Sequence, residues 1–282
     1  MHLERLTQKV FPDVLQAYTA KDVMLYAVGV GAGADPTDRG ELKYVYERDL
    51  APIPTIASVL AYPGFWLQDP ALEIDWLRLL HGEQSIEVHR PLKAEGSVKG
   101  QFRVIGVEDK GKDRGATIFF EKRIVDAQTE LPICTVRSTY FLRSDGGCGS
   151  FGERLTPPSA LGDALDKTVV LPTLPRQAIL YRLNGDYNPI HIDPAAAAKA
   201  GFDRPILHGL CTMGFACRGL INAVCDGEPS RVRSMFVRFS QPVLPGETIQ
   251  LEFSEAPGGV RFRARVLERN IVCLDRGEFS FA

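Results

Sequence analysis

The C-terminal part of the chain contains three segments in which apolar and polar residues alternate with a period of two. Every second residue in each segment is apolar, so each is expected to be a strand with one buried face and one face in water. A Pro-Gly-Gly turn lies between the second and third segments. The pattern predicts antiparallel strands over residues 234–239, 248–253 and 260–266.

Two segments before these strands have the pattern of helices. Residues 209–224 are apolar nearly all round, which predicts a long helix that is buried on every side. Residues 194–200, PAAAAKA, predict a short helix that ends at Gly201, with the glycine as a left-handed cap. The second half of the chain is therefore expected to place helices before a run of antiparallel strands.

The first half repeats this order of elements. Residues 22–30 have apolar side chains at helical spacing, and residues 55–61 favour another short helix. Strands are predicted to follow at 86–90, 98–107, 116–126 and 133–143. Helices followed by antiparallel strands, twice over, predict an α+β protein. A curved antiparallel sheet around a long apolar helix is a hotdog fold, so we expect a tandem, or double, hotdog with long central helices.

A segment rich in glycine, serine and proline, residues 144–158, lies near the middle of the chain. We predict an N-terminal hotdog domain at 1–150, a linker at 151–175 and a C-terminal hotdog domain at 176–282. The repeat is inferred from the order of elements, because no strong residue-level repeat is present.

Composition restricts the class of protein. The 282 residues carry a formal net charge of −2, with 45% hydrophobic and 24% charged residues, which argues against nucleic acid as a partner. The six cysteines contain no CxxC pair and are expected to be free thiols. The N-terminus has no apolar signal segment, and no run of about 18 apolar residues predicts a membrane span. We expect a cytoplasmic protein.

Residues 181–191, YRLNGDYNPIH, contain the strongest candidate chemistry. Pro189 prevents a regular helix here, so a tight loop is expected to direct Asp186 and His191 toward one point. A carboxylate and an imidazole that meet there can hold a water and exchange protons with it, which accelerates reactions by about 10²–10⁴-fold. The alternative is structural: Asp186 bonds its own turn, His191 is an ordinary loop histidine, and Asp193 only caps the next helix.

The segment NGDYNPIHIDPAAAAKAGF, followed by PILHGLCTMG, resembles the signature of the R-specific enoyl-CoA hydratases, or hydratase 2, within the MaoC-like dehydratases. Further segments look like landmarks of the eukaryotic-type hydratase 2 module, in order along nearly the whole chain. They are YAVGVGA, LLHGEQSIEVHRPL, EDKGKDRGA, the GGCGSFG linker and FVRFSQPVLPGETI.

This resemblance implies reversible hydration of a trans-2-enoyl-CoA to the (3R)-hydroxyacyl-CoA. Asp186 and His191 would be the acid/base pair, and Asn188 would hold the water or orient its partners. The backbone N–H of Gly209 would bind the thioester oxygen. A helix N-terminus offers free N–H groups and partial positive charge, which independently favours that role. The alternative is that His208-Gly209 is only a tight entry to a buried helix.

The same resemblance implies that His81, Gly82, Lys110 and Phe239 line the CoA or acyl site. Each also has a structural interpretation: a turn before a strand for His81 and Gly82, a loop lysine, and a core phenylalanine. Asn184 departs from the small residue usual in the family, which leaves fine substrate preference open. Three arginines of one strand region, which could meet CoA phosphates or face solvent, are Arg231, Arg233 and Arg238.

The first half has no GDxNPxH motif, so we expect it to be non-catalytic and to accept the acyl chain. The resemblance implies an acyl-CoA substrate and no cofactor, and a homodimer is expected. The spacing of Gly29, Gly31 and Gly33 is not that of a dinucleotide-binding loop. No histidine pair has metal-ligand spacing, so no metal is expected. The remaining alternatives are an acyl-CoA thioesterase and a non-catalytic acyl-CoA-binding protein, because hotdog folds host both.

Overall fold

The structure, a computed structural model, describes residues 1–162 and 165–282. Its strands form one antiparallel sheet with the order β1-β3-β4-β5-β2-β8-β11-β10-β9-β7, and β6 pairs with β3 beside this path. The strands are β1 (Val14–Tyr18), β2 (Leu79–Val88), β3 (Gly96–Asp109), β4 (Ala116–Asp126), β5 (Pro132–Leu142), β6 (Phe151–Gly152), β7 (Lys167–Pro172), β8 (Val232–Phe239), β9 (Thr248–Ala256), β10 (Gly259–Val266) and β11 (Ile271–Phe281).

The sheet consists of two units with the same topology. Counted from the outer edge inward, the first unit is β1-β3-β4-β5-β2 and the second is β7-β9-β10-β11-β8. The innermost strands, β2 and β8, pair antiparallel with Glu83 opposite Arg238 and Ser85 opposite Phe236. The Arg238 guanidinium forms an ion pair with the buried Glu83 carboxylate across this seam. This topology is the expected double hotdog, closed into one continuous sheet.

One long helix fills the concave side of this sheet. Helix α6 (Gly209–Val224) has the predicted bounds, and every residue from Cys211 to Ile221 is buried. Apolar side chains on all its faces explain this position, because only a buried helix can place all of them out of water. The other helices are α1 (Leu3–Thr7), α2 (Ala20–Gly29), α3 (Leu42–Val45), α4 (Gln177–Arg182), α5 (Pro194–Lys199) and several short 3₁₀ turns.

The first unit differs from expectation in its helix. Helix α2 has only ten residues, where a long central helix was expected in each unit. The chain turns away after α2 at Gly31, which has a φ of +81°. A Cβ on Gly31 would collide with the Phe215 ring of α6. The closely spaced glycines therefore let this loop pack directly on the central helix of the other unit.

Several strands were not predicted from the sequence. β1 and β7 are short edge strands, and β11 is irregular because Arg276 has a φ of +53° and interrupts its pairing with β8. β6 and β7 lie inside residues 151–175, which the sequence predicted as linker, and β7 pairs with β9 over Lys167–Pro172. The sheet of the second unit thus begins within that range. All six cysteines are free, as expected.

A buried ion pair and the hydrogen bonds around it connect the first unit to α6. Arg218 on α6 pairs with the Glu41 carboxylate, and both side chains are 8% exposed. The other carboxylate oxygen accepts a hydrogen bond from the Gly33 N–H at 2.8 Å. Arg218 Nε donates to the Val30 carbonyl at 3.1 Å, and Asn222 Nδ2 donates to Glu41 at 3.2 Å. These bonds satisfy a pair of charges that would be costly to bury alone.

Replacing Glu41 with glutamine is expected to destabilise the protein by about 3–5 kcal/mol, because the Arg218 charge would remain buried without a counter-charge. Urea unfolding of the variant measures this loss. The matched control is Glu255→Gln, which breaks the exposed Lys167–Glu255 pair and should leave the free energy of unfolding nearly unchanged. If the free energy of unfolding fell equally in the two variants, the larger contribution expected of the buried ion pair would be contradicted.

Candidate active site

The loop between α4 and α5 has the tight course that the sequence predicted. Gly185 has a φ of +108°, which reverses the chain after α4. The N–H of Asn188 donates to Asp186 Oδ1 at 3.2 Å, and the Asn188 side chain caps the 3₁₀ turn Pro189–His191. Asp193 caps α5 through the Ala195 N–H at 2.8 Å. The structural bonds considered as an alternative for Asp186 and Asp193 are therefore present.

These bonds do not prevent three ionisable side chains from meeting. One carboxylate oxygen of Asp186 and one ring nitrogen each of His191 and His208 lie within 4.8 Å of one another. A small molecule at the centre of such a triangle would lie no more than about 2.8 Å from each atom, which is within hydrogen-bond reach. The structure thus brings Asp186 and His191 together, and adds His208 to them.

The hydrogen bond of His191 fixes which of its nitrogens is available. Its Nδ1 lies 2.8 Å from the Ile206 carbonyl oxygen. Because a carbonyl only accepts, Nδ1 is assigned the proton and Nε2 keeps a free lone pair. Burial lowers the pKa of His191, and the nearby Asp186 carboxylate partly opposes that shift. At neutral pH, His191 is therefore a neutral imidazole with one basic nitrogen.

His208 is the residue of this site that the sequence analysis did not assign. It is 1% exposed, and its Nε2 lies 3.2 Å from the Asp186 main-chain oxygen. Burial is the largest cause that lowers its pKa to about 4, followed by His191. The only signal in the sequence was its place in PILHGL, directly before Gly209.

Gly209 begins α6 next to these side chains. It is exposed, and the described residues supply no side-chain cap for the helix start. The first N–H groups of a helix have no partner within the helix, so they can bind an oxygen from outside. A Cβ at this position would lie 3.1 Å from the Phe239 ring, so Phe239 forms a wall beside the helix start.

His81 and Gly82 form the next part of this wall. The ring of His81 lies 5.0 Å from Phe239 and 5.1 Å from Tyr140, centroid to centroid. Its Nε2 lies 2.8 Å from Gln84 Oε1, and burial lowers its pKa to about 4. A Cβ on Gly82 would collide with the Phe141 ring.

Lys110 lies in the turn after β3. Its ammonium lies 4.9 Å from the centre of the Phe141 ring, a cation–π contact. Phe239 thus lies beside Gly209 and His81 packs on Phe239, whereas Gly82 and Lys110 lie against Phe141, which faces the opposite side of β5 from Tyr140. Their roles stay predictions.

Asn184, the departure from the family pattern, lies between the two units. Its Nδ2 donates to the Tyr181 carbonyl at 2.9 Å and closes α4. A Cβ on Gly29 of α2 would lie 2.8 Å from the same nitrogen. Asn184 also lines a cavity of about 230 Å³ together with Leu25, Ile56 and Leu60. Its amide thus packs on the first unit, two residues before Asp186.

The sequence left undecided whether three arginines meet CoA phosphates or face solvent, and two of these arginines form ion pairs. Arg238 pairs with Glu83 at the seam, and Arg231 pairs with Asp226. Arg233 is exposed and donates only to main-chain carbonyls of its own segment among the described residues. These contacts favour the structural interpretation for Arg231 and Arg238.

Asp186, His191 and His208 are residue types that also bind divalent metals. The rings of His191 and His208 are stacked, with centroids 3.7 Å apart and planes 27° apart. The lone pairs of the two rings lie in planes only 27° apart, which is unfavourable for a metal ion that must lie close to both planes. The three groups as placed are suited to a hydrogen-bonded molecule such as water, whose geometry is less restricted.

Comparison with known proteins defines the class of this double hotdog. Residues 157–272 match the family model "MaoC like domain", and residues 16–144 match "MFE-2 hydratase 2 N-terminal domain". The crystal structure of a MaoC-like dehydratase from Phytophthora capsici superimposes with a TM-score of 0.88 at 34% identity, covering 100% of this chain and 99% of that one.

Two curated relatives narrow the class to a family. The peroxisomal enoyl-CoA hydratase 2 of Arabidopsis thaliana is 39% identical, over 92% of this chain and 89% of its own length. The 3-hydroxyacyl-thioester dehydratase Y of Mycobacterium tuberculosis is 36% identical, over 90% and 88%. The chain belongs to the enoyl-CoA hydratase 2 family of MaoC-like dehydratases, as its motifs predicted.

The buried neutral histidines make stability depend on pH. The folded pKa of both His81 and His208 is about 4, against an ordinary value of 6.5. Between these values the unfolded chain binds more protons than the folded protein, so the free energy of unfolding falls as the pH falls. Above pH 6.5 these two groups add no pH dependence.

Thermal unfolding followed from pH 7 to pH 4.5 is expected to show a progressive fall in Tm below pH 6.5. Replacing His81 with glutamine should reduce this slope, because one of the two titrating groups is removed. A Tm that stays constant over the whole range would contradict the expectation.

Proposed function

We propose that this protein is a hydro-lyase that reversibly hydrates a trans-2-enoyl-CoA to the (3R)-hydroxyacyl-CoA. Membership of the enoyl-CoA hydratase 2 family supports the reaction class. The observation that carries the proposal is the arrangement of Asp186 and His191 around one point, next to the exposed start of α6. The handedness of the product follows from the family.

In the proposed mechanism, a water lies between the Asp186 carboxylate and Nε2 of His191. The water oxygen bonds to the β-carbon of the substrate as an O–H proton passes to His191 Nε2. The π electrons of the double bond move onto the thioester oxygen and form an enolate. The imidazolium then returns its proton to the α-carbon, so that the net change is the addition of one water.

Each of the two side chains has a distinct task in this sequence. Neutral His191 accepts the proton, because its Nδ1 proton is held by the Ile206 carbonyl and Nε2 is free. The Asp186 carboxylate accepts a hydrogen bond from the water and stabilises the imidazolium, consistent with its effect on the pKa of His191. Asn188 orients the Asp186 side of the loop through its N–H.

The backbone N–H of Gly209 stabilises the developing enolate oxygen. A preorganised donor at a helix N-terminus meets negative charge as it forms, and such a donor is worth about 2.7–4 kcal/mol. The exposure of Gly209 leaves room for a thioester there. We propose that His81, Gly82, Lys110 and Phe239 bind other parts of the substrate.

The two units divide the work. The C-terminal unit supplies the reacting groups, and the N-terminal unit is non-catalytic and accommodates the acyl chain. No cofactor takes part, since CoA belongs to the substrate. We further propose a homodimer, which light scattering in solution measures as twice the mass of one chain.

The cellular location stays a prediction. No helix within residues 1–162 or 165–282 has the length and apolar character needed to cross a membrane. The name of the Arabidopsis relative includes the word peroxisomal, while we predict the cytoplasm for this protein.

Incubation with a short-chain trans-2-enoyl-CoA separates the proposal from its alternatives. Hydration is expected to give the (3R)-hydroxyacyl-CoA with an intact thioester, as measured by loss of enoyl absorbance and chiral analysis of the product. Release of free CoA would indicate a thioesterase. Binding of the substrate without any turnover would indicate a non-catalytic acyl-CoA-binding protein.

Replacing Asp186 with asparagine is expected to lower kcat by about 10²–10⁴-fold, because the imidazolium loses its counter-charge. The fold should be retained, as judged by Tm. The matched control is Asp226→Asn, an exposed aspartate beyond the opposite end of α6, and it should leave kcat unchanged. Full activity in Asp186→Asn would rule out the proposed pair.

The pH dependence tests the role of His191. Hydration requires the neutral imidazole, so kcat/KM should fall on the acid side, below the ordinary pKa of 6.5. The residual activity of Asp186→Asn should have its acid limb at a lower pH than wild type, because the carboxylate that raises the pKa of His191 is gone. A shift toward higher pH would contradict this assignment.

A further inference from the structure

We infer that His208 is a positioning residue for the hydration proposed above, on which this inference rests. Its imidazole contacts the main chain of Asp186 and the ring of His191, and its main chain begins helix α6. His208 therefore links all three parts of the proposed machinery.

The first link is a hydrogen bond to the catalytic loop. His208 Nε2 lies 3.2 Å from the main-chain oxygen of Asp186, 22 residues earlier in the sequence. Because a carbonyl only accepts, Nε2 is the donor. This hydrogen bond holds the Asp186 main chain against His208, so it restricts where the Asp186 carboxylate can lie relative to the start of α6.

The second link is a ring contact with His191. The two imidazoles are stacked at 3.7 Å, and the Tyr181 ring also packs against His208, with ring centres 4.9 Å apart. Among residues 1–162 and 165–282, the His191 ring forms one hydrogen bond, from Nδ1 to Ile206. The stack restricts rotation of the His191 ring about that bond and keeps Nε2 directed at the water position.

The third link is the position of His208 in the chain. It is the N-cap of α6, and its main-chain oxygen accepts a hydrogen bond from the Thr212 N–H at 3.1 Å. Gly209, the proposed oxyanion donor, is the next residue. The His208 side chain is therefore attached to the main chain at the position where the helix and the proposed oxyanion donor begin.

One feature separates a positioning role from a purely structural one. Nδ1 of His208 is buried and has no hydrogen-bond partner among the residues that the structure describes. Phenylalanine fills similar space and needs no partner at this position, but it cannot donate to the Asp186 main-chain oxygen. A purely structural histidine would be replaceable by phenylalanine without loss of kcat, whereas a positioning histidine would not. The exchange should therefore change stability little while it lowers kcat.

The test compares two variants of the full-length protein. His208→Phe keeps a flat ring against His191 but loses the donor to Asp186, whereas His208→Gln restores an N–H donor without the stack. Measurements are kcat and KM for a short-chain trans-2-enoyl-CoA, Tm, and the Kd of butyryl-CoA, which cannot be hydrated. The matched control is His89→Phe, at a histidine whose ring bonds the Thr135 hydroxyl outside the site.

His208→Phe is expected to lower kcat by about 10–100-fold, because a small misplacement of reacting groups costs about that much. KM and the Kd of butyryl-CoA should change less than about threefold, and Tm should change little, because the lost bond to Asp186 and the removed unpaired nitrogen have opposite effects on stability. His208→Gln should recover about tenfold of the lost kcat. His89→Phe should leave kcat unchanged within about twofold, as expected of a residue outside the network.

Wild-type kcat in His208→Phe would overturn the inference, and so would a joint fall of kcat and Tm without rescue in His208→Gln. If His208→Phe does not fold, His208→Gln and His208→Met make the same comparison, since methionine has similar length and no donor. Wild-type protein that hydrates no enoyl-CoA would instead contradict the proposed function itself.

Discussion

The burial of helix α6 is the constraint on which the rest of the structure depends. Glycines on two of its faces admit side chains from both units. Val30 of the first unit packs against Gly214, and Leu171 and Leu251 of the second unit approach Gly219. The ion pair between Arg218 and Glu41 adds a polar fastening on the same helix. With its middle fixed in this way, the N-terminal end of α6 has one position relative to both units.

That position gives the proposed chemistry its geometry. At the seam between β2 and β8, His81 of the first unit packs against Phe239 of the second unit, and Phe239 lies beside Gly209. The loop after α4 delivers Asp186 and His191 from the opposite side. The site is thus assembled from a helix end, a strand seam and a proline-bearing loop, each held by packing outside the site.

The sequence predicted those parts whose cause is local. The bounds of α6 follow from its all-round apolar pattern, and the course of the loop follows from Gly185 and Pro189. The role of His208 could not be predicted in this way, because its partners lie 22 and 17 residues away along an irregular path. Glu41 was missed for the same reason, since its partner Arg218 is 177 residues distant. β11 was missed because Arg276 and its bulge break the alternation on which strand prediction rests.

Because β2 pairs with β8 of the same chain, the association of the two units does not depend on a second molecule. A single hotdog unit would leave its innermost strand as an unpaired sheet edge, which invites pairing with another molecule. Here the complementary edge is carried by the same polypeptide, so closure of the seam is intramolecular and does not weaken on dilution. The pairing of the two units therefore does not depend on protein concentration, and the unit that lacks the GDxNPxH motif can diverge in sequence as long as its innermost strand still pairs with β8.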